Sequence, residues 1–118
     1  MTELRTFCEQ LSAFVDDLCE TYPEEPDIST AAQKLRLLKQ VNPRIIHSVF
    51  MTSVYSEYAQ HILDENEDYI LTSIKSRGDN LALWVFDKHW NTMAETNKQI
   101  VWKYIKTLVL LAARVPVL

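Results

Sequence analysis

Apolar residues recur at steps of three and four positions through most of this 118-residue chain, and no stretch alternates apolar with polar residues. The clearest example covers the first 22 residues, whose apolar positions are Leu4, Phe7, Cys8, Leu11, Phe14, Val15, Leu18 and Tyr22. Such spacing places the apolar side chains on one stripe of an α-helix. The chain is therefore predicted to be all-α, a compact bundle of five to six helices that forms a single domain over residues 1–118.

Prolines, an asparagine and short polar runs divide this periodic pattern into segments. Helices are predicted over residues 2–22, 43–63, 67–75, 81–93 and 97–114, and a further helix follows Asp27 or Ser29 as its cap and ends near residue 41. Thr96 and Gln99 have the spacing of a capping box at the start of the last helix. Apolar residues, Ile100 among them, cover roughly 200° of this helix, so the C-terminal helix is predicted to be central in the bundle.

The single glycine, Gly78, excludes several kinds of catalytic site. Glycine-rich phosphate loops and the nucleophile elbow of hydrolases require more glycine than this chain contains. Cys8 and Cys19 lie on the same predicted helix roughly 16 Å apart, too far for a disulfide, and no neighbouring base indicates an activated thiol. The chain is expected to be a non-enzymatic protein without a cofactor, with reduced thiols in an intracellular compartment.

Neither the histidines nor the acidic run after residue 63 has the spacing of a metal site. His47 and His61 lie near the apolar arc of the predicted 43–63 helix, but about 21 Å apart along its axis, so each is expected to be a core-edge histidine bonded to a neighbour. The run from Asp64 to Asp68 begins like a calcium-binding loop. Tyrosine and lysine stand at the sixth and twelfth positions, where glycine and an acid are required. A helix cap and a surface turn are expected there, and no metal site is predicted.

The net charge of −4 is unevenly distributed, because residues 1–28 carry −7 and residues 29–118 carry +3. The acidic end is either a solvated helix face or a surface for a basic partner. An alternative function, that of a nucleic-acid-associated accessory protein, would use the basic residues of the last helix. These residues are Lys98, Lys103, Lys106 and Arg114. Trp102 and Tyr104 lie between them in sequence but on the apolar side of the helix, so both are expected in the core.

Four large apolar residues lie outside the apolar arcs of their predicted helices, and two of them, Ile45 and Val49, lie opposite the main apolar arc of the 43–63 helix. Trp84 falls among polar residues of the 81–93 helix, and Leu110 falls within the basic stripe of the last helix. These side chains either pack against a second neighbour or form an exposed patch for a partner. The leading prediction is a protein-binding site formed by Trp84, Leu110, Lys88 and Asp87. In another interpretation, the same patch makes a symmetric homo-oligomer.

The chain has no apolar run behind a basic start, so it lacks the pattern of a secretory signal peptide. Its most apolar stretch, residues 108–113, is far shorter than the roughly 20 residues that a membrane span needs. The sequence therefore predicts a soluble, intracellular protein without a membrane partner.

Several short patterns spread over most of the chain carry a family resemblance. They are Phe7-x-x-Gln10-Leu11-x-x-Phe14-x-Asp16-Asp17-Leu18, Tyr22-Pro23 followed four residues later by Asp27-Ile28, Asn42-Pro43-Arg44, Leu83-Trp84, and Asn97-Lys98-x-x-Val101-Trp102-Lys103-Tyr104-Ile105-x-x-Leu108. With them the chain resembles small uncharacterised helical proteins of nucleocytoplasmic large DNA viruses of algae and protists. The resemblance implies a viral protein in the cytoplasm or nucleus of an infected host cell, or in the virion. It brings no catalytic motif, and the leading hypothesis is an interaction module that binds a viral, capsid-associated protein or a host protein.

Overall fold

Helices and the turns between them make up the described part of the chain. The computed structural model describes residues 2–77 and 88–116, and no β-strand occurs in these ranges, which confirms the predicted all-α bundle. The elements are α1 (Thr2–Thr21), α2 (Pro26–Val41), α3 (Pro43–Phe50), a π-helical turn (Met51–Tyr55), α4 (Ser56–Leu63), α5 (Glu67–Arg77) and α6 (Glu95–Arg114). Residues 88–90 are also helical, and the rest of the predicted turn and helix between residues 78 and 87 lies outside the described ranges.

α1 and α2 form a helical hairpin, and prolines determine its corner. Pro23 cannot donate a backbone hydrogen bond and so does not continue α1, which ends at Thr21. α2 begins at Pro26, because a fixed φ and a missing N–H suit the first position of a helix. The cap predicted at Asp27 or Ser29 is therefore wrong: Glu25 occupies the cap position, and its side chain makes no capping hydrogen bond.

Residues 43–63 form one continuous helical segment, as predicted, with an unpredicted π-helical turn in the middle. Buried side chains occur on both sides of this turn, from Ile46 at one end to Ile62 at the other. In an uninterrupted α-helix, positions 16 residues apart differ in direction by about 160°. The wider π-helical turn takes up one extra residue and removes about 100° of that difference. It therefore keeps the two ends of the segment facing the same core.

α6 lies against α1, α4 and the π-helical turn, in agreement with its predicted central position. It begins at Glu95 with Ala94 at the cap position, so Thr96 is already inside the helix and the predicted capping box is wrong. Five of its side chains are buried: Val101, Trp102, Leu108, Val109 and Ala112. None of the helices within the described ranges is long and apolar enough to cross a membrane.

The C-terminal end of α6 is bonded to a buried histidine. Pro116 has no N–H, so the carbonyl oxygen of Ala112 lacks the donor that would normally come from four residues later. The backbone N–H of Val115 donates to that oxygen at 3.3 Å, and His47 supplies a second donor, with its Nε2 at 2.9 Å from the oxygen. Phe7 packs edge-on against the His47 ring, with the ring centroids 5.5 Å apart. His47 is therefore a core histidine bonded to a neighbour, which confirms the prediction.

Candidate interaction surface

α1 and α6 run antiparallel, and an open groove follows the outside of their contact. The Tyr104 hydroxyl donates to Oδ2 of Asp17 at 2.7 Å, and its ring lies 5.1 Å from that of Phe14. Because the neutral phenol makes this hydrogen bond, the pKa of Tyr104 is raised. Two adjoining cavities of about 190 Å³ and about 370 Å³ make up the α1–α6 groove. The polar and exposed residues along it are Gln10, Asp17, Glu20, Thr21, Asn97, Ile100, Lys103, Tyr104 and Thr107.

One side of α6 exposes two large aliphatic side chains. Ile100 is 51% exposed and Leu110 is 54% exposed. At 100° per residue the two directions differ by about 80°, so both side chains lie on one side of the helix. We call the surface formed by Ile100, Lys103, Thr107, Leu110 and Arg114 the α6 face. Ile100 belongs to the apolar arc from which the burial of the last helix is inferred, and its expected burial is wrong. The neighbouring helices α1 and α4 cover less of α6 than this arc spans.

Two of the four residues predicted to bind a protein, Leu110 and Lys88, lie within the described part of the chain. Leu110 belongs to the α6 face. Lys88 has a side chain that is 54% exposed, and its ammonium group donates to Oε1 of Glu25 at 2.6 Å. Trp84 and Asp87 lie outside the described residues. The role of all four in binding a partner stays a prediction.

The four basic residues of the nucleic-acid alternative do not share one environment. Nζ of Lys98 lies 5.3 Å from the ring centroid of Trp90, and Lys106 forms an ion pair with Glu65. Lys103 and Arg114 are exposed, and within residues 2–77 and 88–116 neither has a carboxylate within 4.0 Å. Two of the four cations are therefore engaged within the protein, and the nucleic-acid function stays a prediction.

A buried carboxylate connects the corner between α1 and α2 to residues 88 and 89. Glu25 is only 3% exposed, and its Oε1 accepts hydrogen bonds from Lys88 and from Nε2 of His89, the latter at 2.8 Å. Tyr22 stacks on the His89 ring at a centroid distance of 4.2 Å. The hydrogen bonds from Lys88 and His89 lower the pKa of Glu25. This cluster cannot be predicted from the sequence, because Lys88 and His89 are 63 and 64 residues from Glu25 and no local pattern indicates that Glu25 is buried.

Three side chains of this region could present ligand atoms to one metal ion. Within the described residues, the ligand atoms of Glu24, Glu25 and His89 lie within 4.8 Å of one another. The Lys88 ammonium group already occupies Oε1 of Glu25, so a metal cation here would lie beside another positive charge. The arrangement therefore suits an internal ion pair better than a metal centre.

Replacing Glu25 with glutamine is expected to lower the melting temperature at pH 7 by several degrees, because glutamine lacks the charge that Lys88 and His89 stabilise. Folding lowers the pKa of Glu25. Its contribution is therefore complete above the unfolded-state value, about 4.3 for glutamate, and is lost as the pH falls through the folded value. Thermal unfolding followed by circular dichroism from pH 7 to pH 2 should show the two curves converging in acid. Glu24→Gln is the exposed control, and a difference independent of pH would contradict the prediction.

The two cysteines and His61, the sequence candidates for catalysis or metal binding, lie in surroundings typical of structural residues. Cys8 and Cys19 are free thiols, and burial raises the pKa of both. Little reactive thiolate is therefore present at neutral pH. His61 stacks on Tyr69 with ring centroids 3.7 Å apart, and Nδ2 of Asn66 donates to its Nδ1 at 3.2 Å. His61 is thus bonded to a neighbour, which confirms the prediction for the second histidine.

A cavity of about 90 Å³ lies among α4, α5 and α6 and is lined almost entirely by aliphatic and aromatic side chains. Trp90 and Trp102 contribute to its wall and contact each other edge to face, with centroids 5.6 Å apart. Glu67 is the one acidic residue among the described residues that line the cavity, and it accepts a hydrogen bond from Nε1 of Trp90 at 2.5 Å. Because this carboxylate is already engaged, the cavity offers few polar groups to orient a ligand.

Comparison with protein-family models, with curated proteins and with solved structures gives no match. No function is therefore transferred to this chain from a relative. The relationship to proteins of large DNA viruses, which the sequence patterns suggest, stays a prediction.

Proposed function

We propose that this chain is a non-enzymatic protein–protein interaction module that binds its partner through the α6 face. The observation that carries the proposal is the exposure of Ile100 and Leu110 on one side of a single helix. Fully burying an aliphatic side chain of this size is favourable by roughly 1.5–3 kcal/mol. The two side chains lie about 15 Å apart along the helix axis, with Lys103 and Thr107 between them and Arg114 beyond Leu110. A partner would therefore make two apolar contacts on this face, each beside a cation.

The family resemblance suggests the origin of the partner. The candidate partners are a viral, capsid-associated protein and a protein of the host cell. Either partner would require the module to be present in the infected cell or in the virion. Trp84, Asp87 and Lys88 are predicted to contact the same partner.

Leu110→Glu is expected to abolish partner binding with little effect on stability, because the side chain is exposed and a carboxylate cannot enter an apolar contact without losing its hydration. Tagged wild-type protein and the variant are purified from infected host cells, and the bound proteins are quantified by mass spectrometry. We expect at least about a tenfold loss of the specific partner, which corresponds to roughly 1.4 kcal/mol. Circular dichroism should show unchanged helix content.

Leu37→Glu is the matched control, because Leu37 is 61% exposed on α2 and the substitution is chemically identical. The proposal requires that this control retains the partner. Recovery of the same proteins with wild type and with Leu110→Glu would contradict it.

Measurements on the wild-type protein and on surface variants distinguish the two alternative functions. A symmetric homo-oligomer would double the mass measured by light scattering, and Leu110→Glu would return the monomer mass. A nucleic-acid-associated protein would bind DNA or RNA with a steep dependence on salt, and the double variant Lys103→Ala, Arg114→Ala would reduce that dependence.

A further inference from the structure

We propose that the smaller cavity of the α1–α6 groove is a pocket for an arginine side chain of the partner protein. This inference rests on the proposed interaction function and names the chemistry of the contact. The cavity, called the arginine pocket below, lies between the C-terminal half of α1 and the N-terminal half of α6. It is lined by Phe14, Asp17, Leu18, Glu20, Thr21, Tyr22, Met93, Asn97, Ile100, Val101 and Tyr104.

The volume of the arginine pocket suits one long side chain. It measures about 190 Å³, which exceeds the roughly 150 Å³ of a protein cavity that holds benzene. Its floor is apolar, since Phe14 and Val101 are buried there and Leu18 is half-buried. An arginine stem of methylene groups packs favourably on such a surface while its charged end stays near water.

The charged groups of the arginine pocket are complementary to a guanidinium. Asp17 and Glu20 are exposed acids on its wall, and the described residues place no cationic side chain within 4.0 Å of either carboxylate. Among the described residues that line the pocket, none is a lysine or an arginine. Six of its described lining residues, Asp17 and Glu20 among them, belong to the N-terminal 28 residues, whose net charge is −7. A basic partner is therefore attracted to this end of the molecule.

The pocket favours arginine over lysine because of its shape. The Tyr104 hydroxyl holds one oxygen of Asp17 through the 2.7 Å hydrogen bond and leaves the other oxygen for an incoming donor. The rings of Tyr22 and Tyr104 belong to the same wall. A planar guanidinium donates several parallel hydrogen bonds and also stacks on aromatic rings, whereas an ammonium group is a compact point charge.

The pocket is tested by adding N-acetyl-arginine N-methylamide, one arginine residue without terminal charges, to ¹⁵N-labelled protein. The amide resonances of Thr21, Tyr22, Asn97 and Ile100 are expected to shift and to saturate. The citrulline analogue has nearly the same shape without the charge, and it is expected to cause no shift at the same concentration. The lysine analogue is expected to bind several times more weakly. Absence of saturable shifts, or equal binding by either analogue, would overturn the assignment.

Glu20→Lys is expected to raise the dissociation constant of the arginine analogue about tenfold or more, because it replaces an attracting charge with a repelling one. Glu3→Lys is the matched control, since Glu3 is exposed on the same helix and the change in net charge is identical. The control is expected to keep the affinity of the wild type. Equal losses in the two variants would show attraction to the net charge of α1 and not to the pocket, and would overturn the proposal.

Partner capture separates this inference from the proposed function. If Leu110→Glu loses the partner and Glu20→Lys retains it in full, the interaction module stands and the arginine contact is overturned. If all variants capture the same proteins while the arginine analogue still binds, the proposed partner binding through the α6 face fails. The pocket would then bind arginine without contributing to capture of this partner. Loss of the partner in both Leu110→Glu and Glu20→Lys, with retention in Glu3→Lys, supports both proposals.

Discussion

Phe7→Ala is expected to lower the free energy of unfolding by about 3–5 kcal/mol. Phe7 has no exposed surface, and its ring makes edge contacts with His47 and with Phe50, the latter at a centroid distance of 5.0 Å. Alanine removes the whole ring and leaves a cavity at the point where α1, α3 and α6 meet, because His47 also bonds the end of α6 through Ala112. A loss of this size is a large part of the 5–15 kcal/mol that stabilises a typical domain.

Urea denaturation followed by circular dichroism measures this effect. Phe7→Leu retains much of the volume and is expected to cost less than the alanine variant, so a graded loss is expected even where Phe7→Ala is only partly folded. Glu3→Ala is the exposed control on the same helix and should change stability by no more than about 0.5 kcal/mol. A loss below about 1 kcal/mol for Phe7→Ala would contradict the central position of this ring.

The positions of most described helices could be predicted from the sequence, because apolar residues recur at helical spacing along each of them. The periodicity predicts one helix over residues 43–63, and the segment is continuous, but no sequence pattern predicts its π-helical turn. That turn results from packing both ends of a long segment against one core, and no single residue type requires it. The helix starts were less predictable, since Pro26 and Glu95 begin their helices ahead of the expected caps.

The candidate surface could be predicted only in part. Leu110 stood out because it lies among basic residues of its own helix, and it is exposed in the fold. Ile100 gave no such signal, because its exposure depends on how far α1 covers α6 and not on its own neighbours in sequence. The arginine pocket depends in the same way on tertiary structure, since Asp17 and Tyr104 are 87 residues apart.

The burial of Glu25 could not be predicted from the sequence either. Glu25 follows Pro23 and Glu24 in a stretch that is typical of an exposed link, yet its side chain is buried against Lys88 and His89. The favourable interaction comes from hydrogen-bond donors far away in the chain, the Lys88 ammonium group and the His89 ring. Composition and periodicity contain no information about such a pair.

Trp102→Ala is expected to lower the free energy of unfolding by about 3–5 kcal/mol, and this result would distinguish a core residue from a stacking platform for bases. Trp102 is 7% exposed and lies edge to face against Trp90 at a centroid distance of 5.6 Å. Its removal leaves a large void beside the apolar cavity among α4, α5 and α6. Because the Trp102 ring is buried, a base could not stack on it without an opening of the core.

Trp102→Phe preserves an aromatic ring at the same position and is expected to recover part of the lost stability, as measured by urea denaturation. Lys103→Ala is the surface control one residue away, and it should leave stability within about 0.5 kcal/mol of the wild type. If Trp102→Ala left stability unchanged and removed binding to single-stranded DNA, the ring would be a nucleic-acid contact and the core assignment would fail. A large loss of stability in Trp102→Ala, together with normal partner binding by Trp102→Phe, would show that Trp102 supports the fold and does not contact the partner.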